Sequence, residues 1–523
     1  MPRTVAQSLV LFTLALPGAC QAGDSSPDAA FCPVVIGPEE GAIQNAGCGT
    51  EIWHGGPGNG ETRLVKTAVA VSDHAVNSMI RVSWADCETE EGKYQFERLD
   101  RHFRYCIQYG QKLDIGCFMT SGGIGPMIDG ARCSYPVYIH EAMQASPQKD
   151  TKDVSFWDKK ERWEPNFENA YFFQRYDALL QAFAGYLEQP VTVGAKTIPR
   201  KRLVRCIEMR HFGYWGEGAY PKRFIPARSG DVIRFADAFI KHFPETRIVV
   251  PTNGMAYLPL YAPLKDYHFH LLALKNKAGL CGIFRDNWGH DERSYQRIYY
   301  AANKAEKDGV KLYELLRDRW KVAPVVGEPA QVGPKPGFQP YAGLLDQVDY
   351  LHPVVIRNCN VSSGKPGVLN PSGYNIFDDP QALENFRRMY ARIGFRYLFT
   401  AARNTRRGDA LEISLDWLNI GLTPTYDRWN VRYFLCDESG RESWSAVSTL
   451  DLRTVFPDAQ TKPGVVDRNK AMRHTDRFDR VPQAGRLYLQ IVDPDGISPP
   501  MALSIQGRTE RGAYPLSAPP ALR

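Results

Sequence analysis

Arg205-Cys-Ile-Glu-Met-Arg-His-Phe-Gly-Tyr-Trp-Gly-Glu217 is the stretch on which the reading of this chain turns. Its first part, which with Leu203 and Val204 before it makes a mostly apolar run to Met209, is too short for a helix and is followed by glycines, as in a buried strand. The strand closes on a Gly-Glu pair. A second stretch, Val322-Ala-Pro-Val-Val-Gly-Glu328, repeats the arrangement: an apolar run, then Gly327, then Glu328.

Outward from these two runs, short apolar segments alternate with amphipathic ones between about Cys48 and Asn358. The expected strands are Thr50–Trp53, Met79–Trp84, Leu113–Met119, Leu203–Met209, Arg247–Thr252, Cys281–Asp286, Val322–Gly327 and Asp349–Ile356. Helical spacing is expected over Phe96–Gln108, Glu168–Leu187, Gly230–His242, Ser294–Lys307 and Gln381–Arg392. Eight strands with helices between them predict an α/β fold, a (β/α)8 TIM barrel. A doubly wound sheet is the alternative, but no glycine-rich strand-to-helix turn supports a nucleotide site. The long stretch Thr120 to Arg202 is read as an insertion roofing the barrel top.

After Arg392 the pattern changes to shorter alternating runs at Phe395–Ala401, Ala410–Leu418, Trp429–Cys436, Leu487–Val492 and Met501–Gln506. These predict a small antiparallel β-sandwich. The domain reading is a signal peptide over 1–22, the barrel over 32–392 and the sandwich over 395–520. Because Trp417 and Trp429 fall inside strand-like runs, the sandwich is expected to stabilise the barrel more than to bind glycan.

Arg3 followed by the apolar run Leu9 to Leu16 and then Pro17, Gly18 and Ala19 has the layout of an export signal. The expected location is therefore periplasmic or extracellular. Lipid attachment at Cys20 is disfavoured by Pro17. No later run is apolar and long enough for a membrane span. Ten cysteines beyond Cys20 suggest disulfides in an oxidising compartment. Cys32 with Cys48 and Cys117 with Cys133 are the nearest loop-flanking pairs, whereas Cys206 and Cys281 read as buried strand thiols. No metal-ligand spacing and no cofactor motif is present. A balance of 64 basic against 58 acidic residues gives no argument for nucleic acid. An aromatic content of 12% suits a protein that stacks rings on sugars, and cores use aromatics too.

Reacting groups of such barrels sit at the C-terminal ends of strands. Glu217 follows the fourth strand and Glu328 ends the seventh, and two facing carboxylates are what glycosidic cleavage requires. The fourth-and-seventh-strand pair resembles clan A of the retaining glycoside hydrolases. The passage Val82-Ser-Trp84 through Glu90 to Phe96 and Leu99-Asp100 is similar to that of barrel β-galactosidases. Phe212-Gly-Tyr-Trp-Gly-Glu217, Gly282-Ile-Phe-Arg-Asp286 and Trp417 through Gly421, Pro424 and Trp429 most resemble secreted bacterial proteins of the domain-of-unknown-function 4832 type. The resemblance covers most of the chain from about residue 48. It implies a barrel with a C-terminal sandwich, Glu217 as acid/base, Glu328 as nucleophile and a carbohydrate substrate. One departure stands out: many clan members have Asn before the acid/base, contacting the sugar 2-hydroxyl, and this chain has Gly216. Either Arg210, His211 or Asn253 takes that contact, or the sugar presents its 2-position differently.

Other expected substrate contacts are Trp53, His54, Trp84 and Asp86 at the first two strand ends, Tyr214 and Trp215 beside Glu217, Asp286 and Trp288 at the sixth, and His352 near the eighth. Each has a plainer reading. Trp84 could be a core ring, Asp286 a turn cap and His211 a satisfied core histidine, the last being preferred. Glu208 is expected to face the barrel interior and pair with an arginine. Two functional classes follow: a glycoside hydrolase acting on a polysaccharide, or a non-catalytic carbohydrate-binding protein on a similar barrel. A hydrolase of ester or amide bonds has no nucleophile elbow to support it.

Overall fold

The computed structural model describes residues 30–517, apart from stretches of which the longest are 55–76, 218–228, 253–265, 291–303 and 358–368. The expected signal peptide, with Cys20, and Cys359 lie outside the described residues. Eight parallel strands form a closed barrel: β1 Gly49–His54, β2 Asn77–Ser83, β3 Lys112–Met119, β4 Val204–Met209, β5 Ile248–Pro251, β6 Cys281–Trp288, β7 Val325–Pro329 and β8 Val355–Arg357. Neighbours follow chain order, and β1 pairs with both β2 and β8 to close the ring. Helices α1 Asp100–Tyr109, α2 Ala170–Glu188, α3 Ser229–His242, α4 Leu344–Leu351 and α5 Pro380–Arg392 belong to the connections. No described helix is long and apolar enough to cross a membrane.

Period-two alternation gives the barrel wall two different faces. Ile80, Val82, Leu113, Ile115, Ile207, Met209, Ile248, Val250, Ile283, Val325 and Ile356 join the core shared with the helices. The alternate positions carry Glu51, Arg81, Asp114, Glu208, Glu328 and Arg357, all buried. Gly116 gives these side chains room, since a Cβ there would press on the Cγ atoms of Arg81 and Arg210 at 3.3 Å. Phe284 lies under the guanidinium groups of Arg210 and Arg357, whose centres are 4.1 and 4.8 Å from its ring.

Two antiparallel sheets follow. One orders β9 Tyr397–Arg407, β10 Ala410–Asn419 and β13 Met472–Phe478. The other holds β11 Asn430–Cys436, β12 Glu442–Val447, β14 Arg486–Val492 and β15 Tyr514–Pro515. Leu411, Ile413, Leu415 and Trp417 of the first sheet share one core with Val431, Tyr433, Leu435, Leu489 and Ile491 of the second, so the unit is a sandwich. The same core continues into Cys206, Val249, Phe284, Val326 and Val355 of the barrel interior.

Several expectations need correction. The eighth strand begins at Val355, because Leu344–Leu351 is helical and ends at His352 in the left-handed region, φ 51°. Met501–Gln506 forms no strand; only single contacts tie it, such as the Val35–Ile505 bridge and the Ser504 amide on the Tyr397 carbonyl at 2.8 Å. β12 and β13 were not expected. Most of the helix expected over Ser294–Lys307 lies outside the described residues, and Glu306–Lys307 instead pairs with Val310–Lys311 in a hairpin. Phe31 and Ile36, assigned to the barrel side or just before it, bond to Ala402 and Ser504 of the sandwich. No two of the nine described cysteines form a disulfide. Cys48 is buried with its thiol 3.5 Å from the Asn45 carbonyl while Cys32 is exposed, and Cys133 donates to the Tyr135 carbonyl at 3.2 Å instead of reaching Cys117.

The Thr120 to Arg202 insertion carries a small four-stranded sheet within 127–164, α2 and a hairpin over 190–199. It reaches the barrel top through Arg162, whose buried guanidinium lies 5.1 Å from the ring centre of Trp215.

Candidate active site

Beyond β4 the chain reverses in a tight turn that aims Glu217 back at the barrel axis. Gly213, Trp215 and Gly216 all adopt positive φ, at 72°, 56° and 66°. The Gly216 amide donates to the Gly213 carbonyl at 2.9 Å, and Arg210 Nη1 donates to the Trp215 carbonyl at 3.2 Å. A Cβ at 216 would fall within the backbone of Arg210, so an Asn there would have to displace the turn. The departure noted in the sequence is thus a packing requirement of this turn. Gly327 answers a similar demand, since a side chain would collide with the Arg285 carbonyl and the Trp288 indole.

Glu217 and Glu328 converge. Both are buried, with 8% and 5% of their surface exposed, and one oxygen of each lies within 4.8 Å of the other and of an Asp286 oxygen. Between them stands one guanidinium nitrogen: Arg81 Nη2 is 3.0 Å from Glu217 Oε1 and 2.8 Å from Glu328 Oε2. Arg210 Nη1 adds a contact to Glu217 Oε1 at 2.9 Å, and Arg357 Nη1 one to Glu328 Oε2 at 3.1 Å. Each glutamate is therefore held by two guanidiniums on a single oxygen. Glu217 Oε2 has no bond to any described residue.

Burial raises the pKa of Glu217, and the Glu328 carboxylate adds to the effect, while Arg81 and Arg210 oppose it. Burial and the neighbouring Arg81 lower that of Arg210. Three carboxylates this close form the kind of group that can hold a metal ion, but here the protein supplies its own cation, Arg81, between two of them.

The remaining expected residues fall into three groups. Asp286 and Arg210 belong to the cluster, and Trp215 is half-buried beside Glu217. The structure removes others from it. Trp84 is fully buried: Ser83 caps a short helix over Trp84–Cys87, and the ring packs edge-on against Phe172 and Tyr176 with Nε1 donating to Glu88 at 2.7 Å. Asp86 turns back to Ser83, whose hydroxyl donates to it at 2.6 Å. Trp288 is fully buried after a bulge in β6. His211 stacks on Phe235 and Phe239 in the barrel–helix core, and burial pushes its pKa down to about 3, as the core-histidine reading expects. His352 stacks on Trp320 at 4.2 Å and bonds the Leu422 carbonyl at 2.7 Å, toward the sandwich. Finally, Tyr214, Asn253 and the side chains of Trp53 and His54 lie outside the described residues.

Arg81 and Arg357 were missed in the sequence. Their signal was a charged residue inside an apolar strand, on the face that carries Glu208 and Glu328.

No protein-family model matches the chain, and no curated protein matches it. The resemblance to the domain-of-unknown-function 4832 type therefore rests on its motifs alone. Among solved structures the chain is similar to endo-glycoceramidase II from Rhodococcus sp., at 12% identity and a TM-score of 0.38, over 85% of this chain and 100% of that one. It is similar also to an exo-beta-1,4-mannosidase from Opitutaceae bacterium strain TAV5 (12% identity, TM-score 0.35, 67% of this chain and 61% of that one). A third is the xylanase Xyn30A from Clostridium acetobutylicum (11% identity, TM-score 0.34, 84% and 95%). At such identities the likeness concerns the course of the chain alone.

Proposed function

We propose that the chain is an exported glycoside hydrolase that cleaves a polysaccharide or oligosaccharide by double displacement. The observation that carries this reading is the approach of the Glu217 and Glu328 oxygens to within 4.8 Å at the ends of β4 and β7. Retaining enzymes place their carboxyls roughly 5–5.5 Å apart, whereas inverting ones need roughly 6.5–9.5 Å to admit water. Glu328, tied to Arg81 and Arg357, attacks the anomeric carbon as a carboxylate. Glu217 gives its proton to the departing oxygen from Oε2, the atom that its two guanidiniums leave uncovered. Glu217 then takes a proton from water, which attacks the same carbon and releases Glu328.

The test is a panel of aryl glycosides and bacterial exopolysaccharides, run with wild type, Glu217→Gln and Glu328→Gln. Wild type is expected to turn over at least one substrate. Glu217→Gln is expected to lose on the order of 10²–10⁴-fold in kcat, the share that acid catalysis supplies, and Glu328→Gln, which has no carboxylate to attack the anomeric carbon, at least as much. Equal rates for wild type and Glu217→Gln would remove Glu217 from the mechanism. A second reading, a carbohydrate-binding protein without turnover, is favoured by one feature: Arg81 occupies the space between the two carboxylates. Calorimetric binding of a glycan that neither wild type nor variants cleave would support it.

A further inference from the structure

The ion pairs at the mouth are the upper end of a chain that runs down the barrel. Arg357, fully buried on β8, reaches Glu328 through Nη1, Glu208 through Nη2 and Glu51 through Nε at 2.8 Å. Glu208 also accepts from Arg210 Nε at 2.8 Å, and Arg210 holds Glu217. At the lower end Arg205 Nη2 bonds both Glu51, at 3.0 Å, and Asp114. Nine charged side chains are thereby linked without a gap: five carboxylates (Glu51, Asp114, Glu208, Glu217, Glu328) and four guanidiniums (Arg81, Arg205, Arg210, Arg357).

We propose that Arg357 is a positioning residue for Glu328 that ties the ionisation of the mouth pair to that of Asp114 on the barrel floor. The geometry requires a compromise at Arg357, because one guanidinium serves three carboxylates from three strands. Any charge gained or lost at Glu51 or Glu208 changes how firmly it holds Glu328. The surroundings transmit such a change well, since buried charges are screened far less than exposed ones. The linked groups also hold one carboxylate more than guanidiniums, so a proton kept by one carboxylate lowers the demand on the rest. Asp114 is the floor group placed to keep it. It faces Glu51, Arg205, Arg357 and the Cys206 thiol, and burial together with Glu51 raises its pKa to about 7.

That these groups serve catalysis rests on the function proposed above; that they titrate together does not. The experiment therefore follows the carboxyl carbons of 13C-labelled glutamate by NMR across pH, with Glu217→Gln and Glu328→Gln supplying assignments. In Asp114→Asn the part of the Glu217 and Glu328 titrations that lies above about pH 7, where Asp114 carries its charge in the wild type, is expected to move to lower pH by up to about one unit, the scale of one charge acting through an effective dielectric near 20. Arg357→Lys, which cannot hold three carboxylates with one planar fork, is expected to raise the Glu328 titration while the chain remains folded. On an active substrate the acid and base limbs of kcat/KM should move with these titrations. Mouth titrations identical in wild type and Asp114→Asn would overturn the proposal even if the enzyme is active. Shifted titrations in a protein without any glycosidase activity would leave the coupling standing and remove the function.

Discussion

The barrel interior and the sandwich interior are two ways of filling a β-structure, and they differ in kind. Between the sandwich sheets lie Leu, Ile, Val, Tyr and Trp side chains, with Trp417 fully buried among them. Inside the barrel the lowest layer continues that apolar core, but around and above it stand arginines paired with glutamates. Burying ion pairs is a poor way to gain stability, because the desolvation of each charge offsets most of the attraction. An apolar filling would hold the barrel as well. What the charged filling provides is placement: each glutamate at the mouth is fixed by the shared Arg81 and by a second guanidinium, Arg210 or Arg357, that is itself held by Glu208.

The largest expected effect separates the two interiors directly. Arg81→Met leaves two buried carboxylates facing each other and should cost about 3–5 kcal/mol, the penalty for breaking a buried pair. Trp417→Ala should cost about the same 3–5 kcal/mol through the cavity it opens. Chemical denaturation would show similar losses, but only the Arg81 variant should lose activity per folded molecule. Equal activity in both variants would mean that the charged interior is filling and nothing more.

Acidity sharpens the contrast. The folded pKa of Asp114, about 7, lies above its ordinary 3.8, so the folded state binds the proton more tightly than the unfolded one. Stability from this group is then full below about pH 4 and is lost as pH rises toward about 7. Asp114→Asn should flatten that decline when the unfolding midpoint in urea is followed from pH 4 to 8. Trp417→Ala should shift the whole curve without changing its slope.

A smaller effect is expected at the turn that carries Glu217. Asn tolerates positive φ better than most residues, so strain alone would make Gly216→Asn mild. The collision with the Arg210 backbone adds to it, and a loss of about 1–3 kcal/mol is expected. Glu217 would also be displaced, and a shift of about 1 Å is enough for roughly a 10²-fold loss in rate. Thermal unfolding with parallel kinetics checks both. An Asn variant as active as wild type would show that the turn can open.

The parallel strands were legible because both faces of β5 are covered, which writes an uninterrupted apolar run, and because charges break the runs of β4 and β7 at only a few positions. The sandwich was legible from alternation, as in Leu487, Leu489 and Ile491 with partly exposed residues between them. The two glutamates followed from strand count. What failed was the fate of residues just past a strand end, where direction depends on a single turn. Ser83 starts a helix that swings Trp84 into the core, the β6 bulge with Asn287 at φ 65° turns Trp288 inward, and the left-handed His352 ends a helix that resembled a strand. Arg81, Asp114, Glu208 and Arg357 could have been found together, because each interrupts an apolar strand on the same period-two face.

Asp86 gives the smallest expected effect and bounds the site from outside. Its amide donates to the Ser83 hydroxyl at 3.3 Å, and that hydroxyl donates back to its carboxylate at 2.6 Å, which makes it part of a helix start. Asp86→Asn keeps an acceptor for Ser83 and loses only the attraction of a negative charge to the helix N-terminus, about 0.3–1 kcal/mol. The melting temperature should fall slightly and kcat/KM should stay at the wild-type value. Asp86 is one strand end away from Arg81, so this variant asks where function stops along β2. A tenfold drop in kcat/KM at unchanged stability would place Asp86 in contact with substrate and extend the charged region from the barrel interior onto its rim.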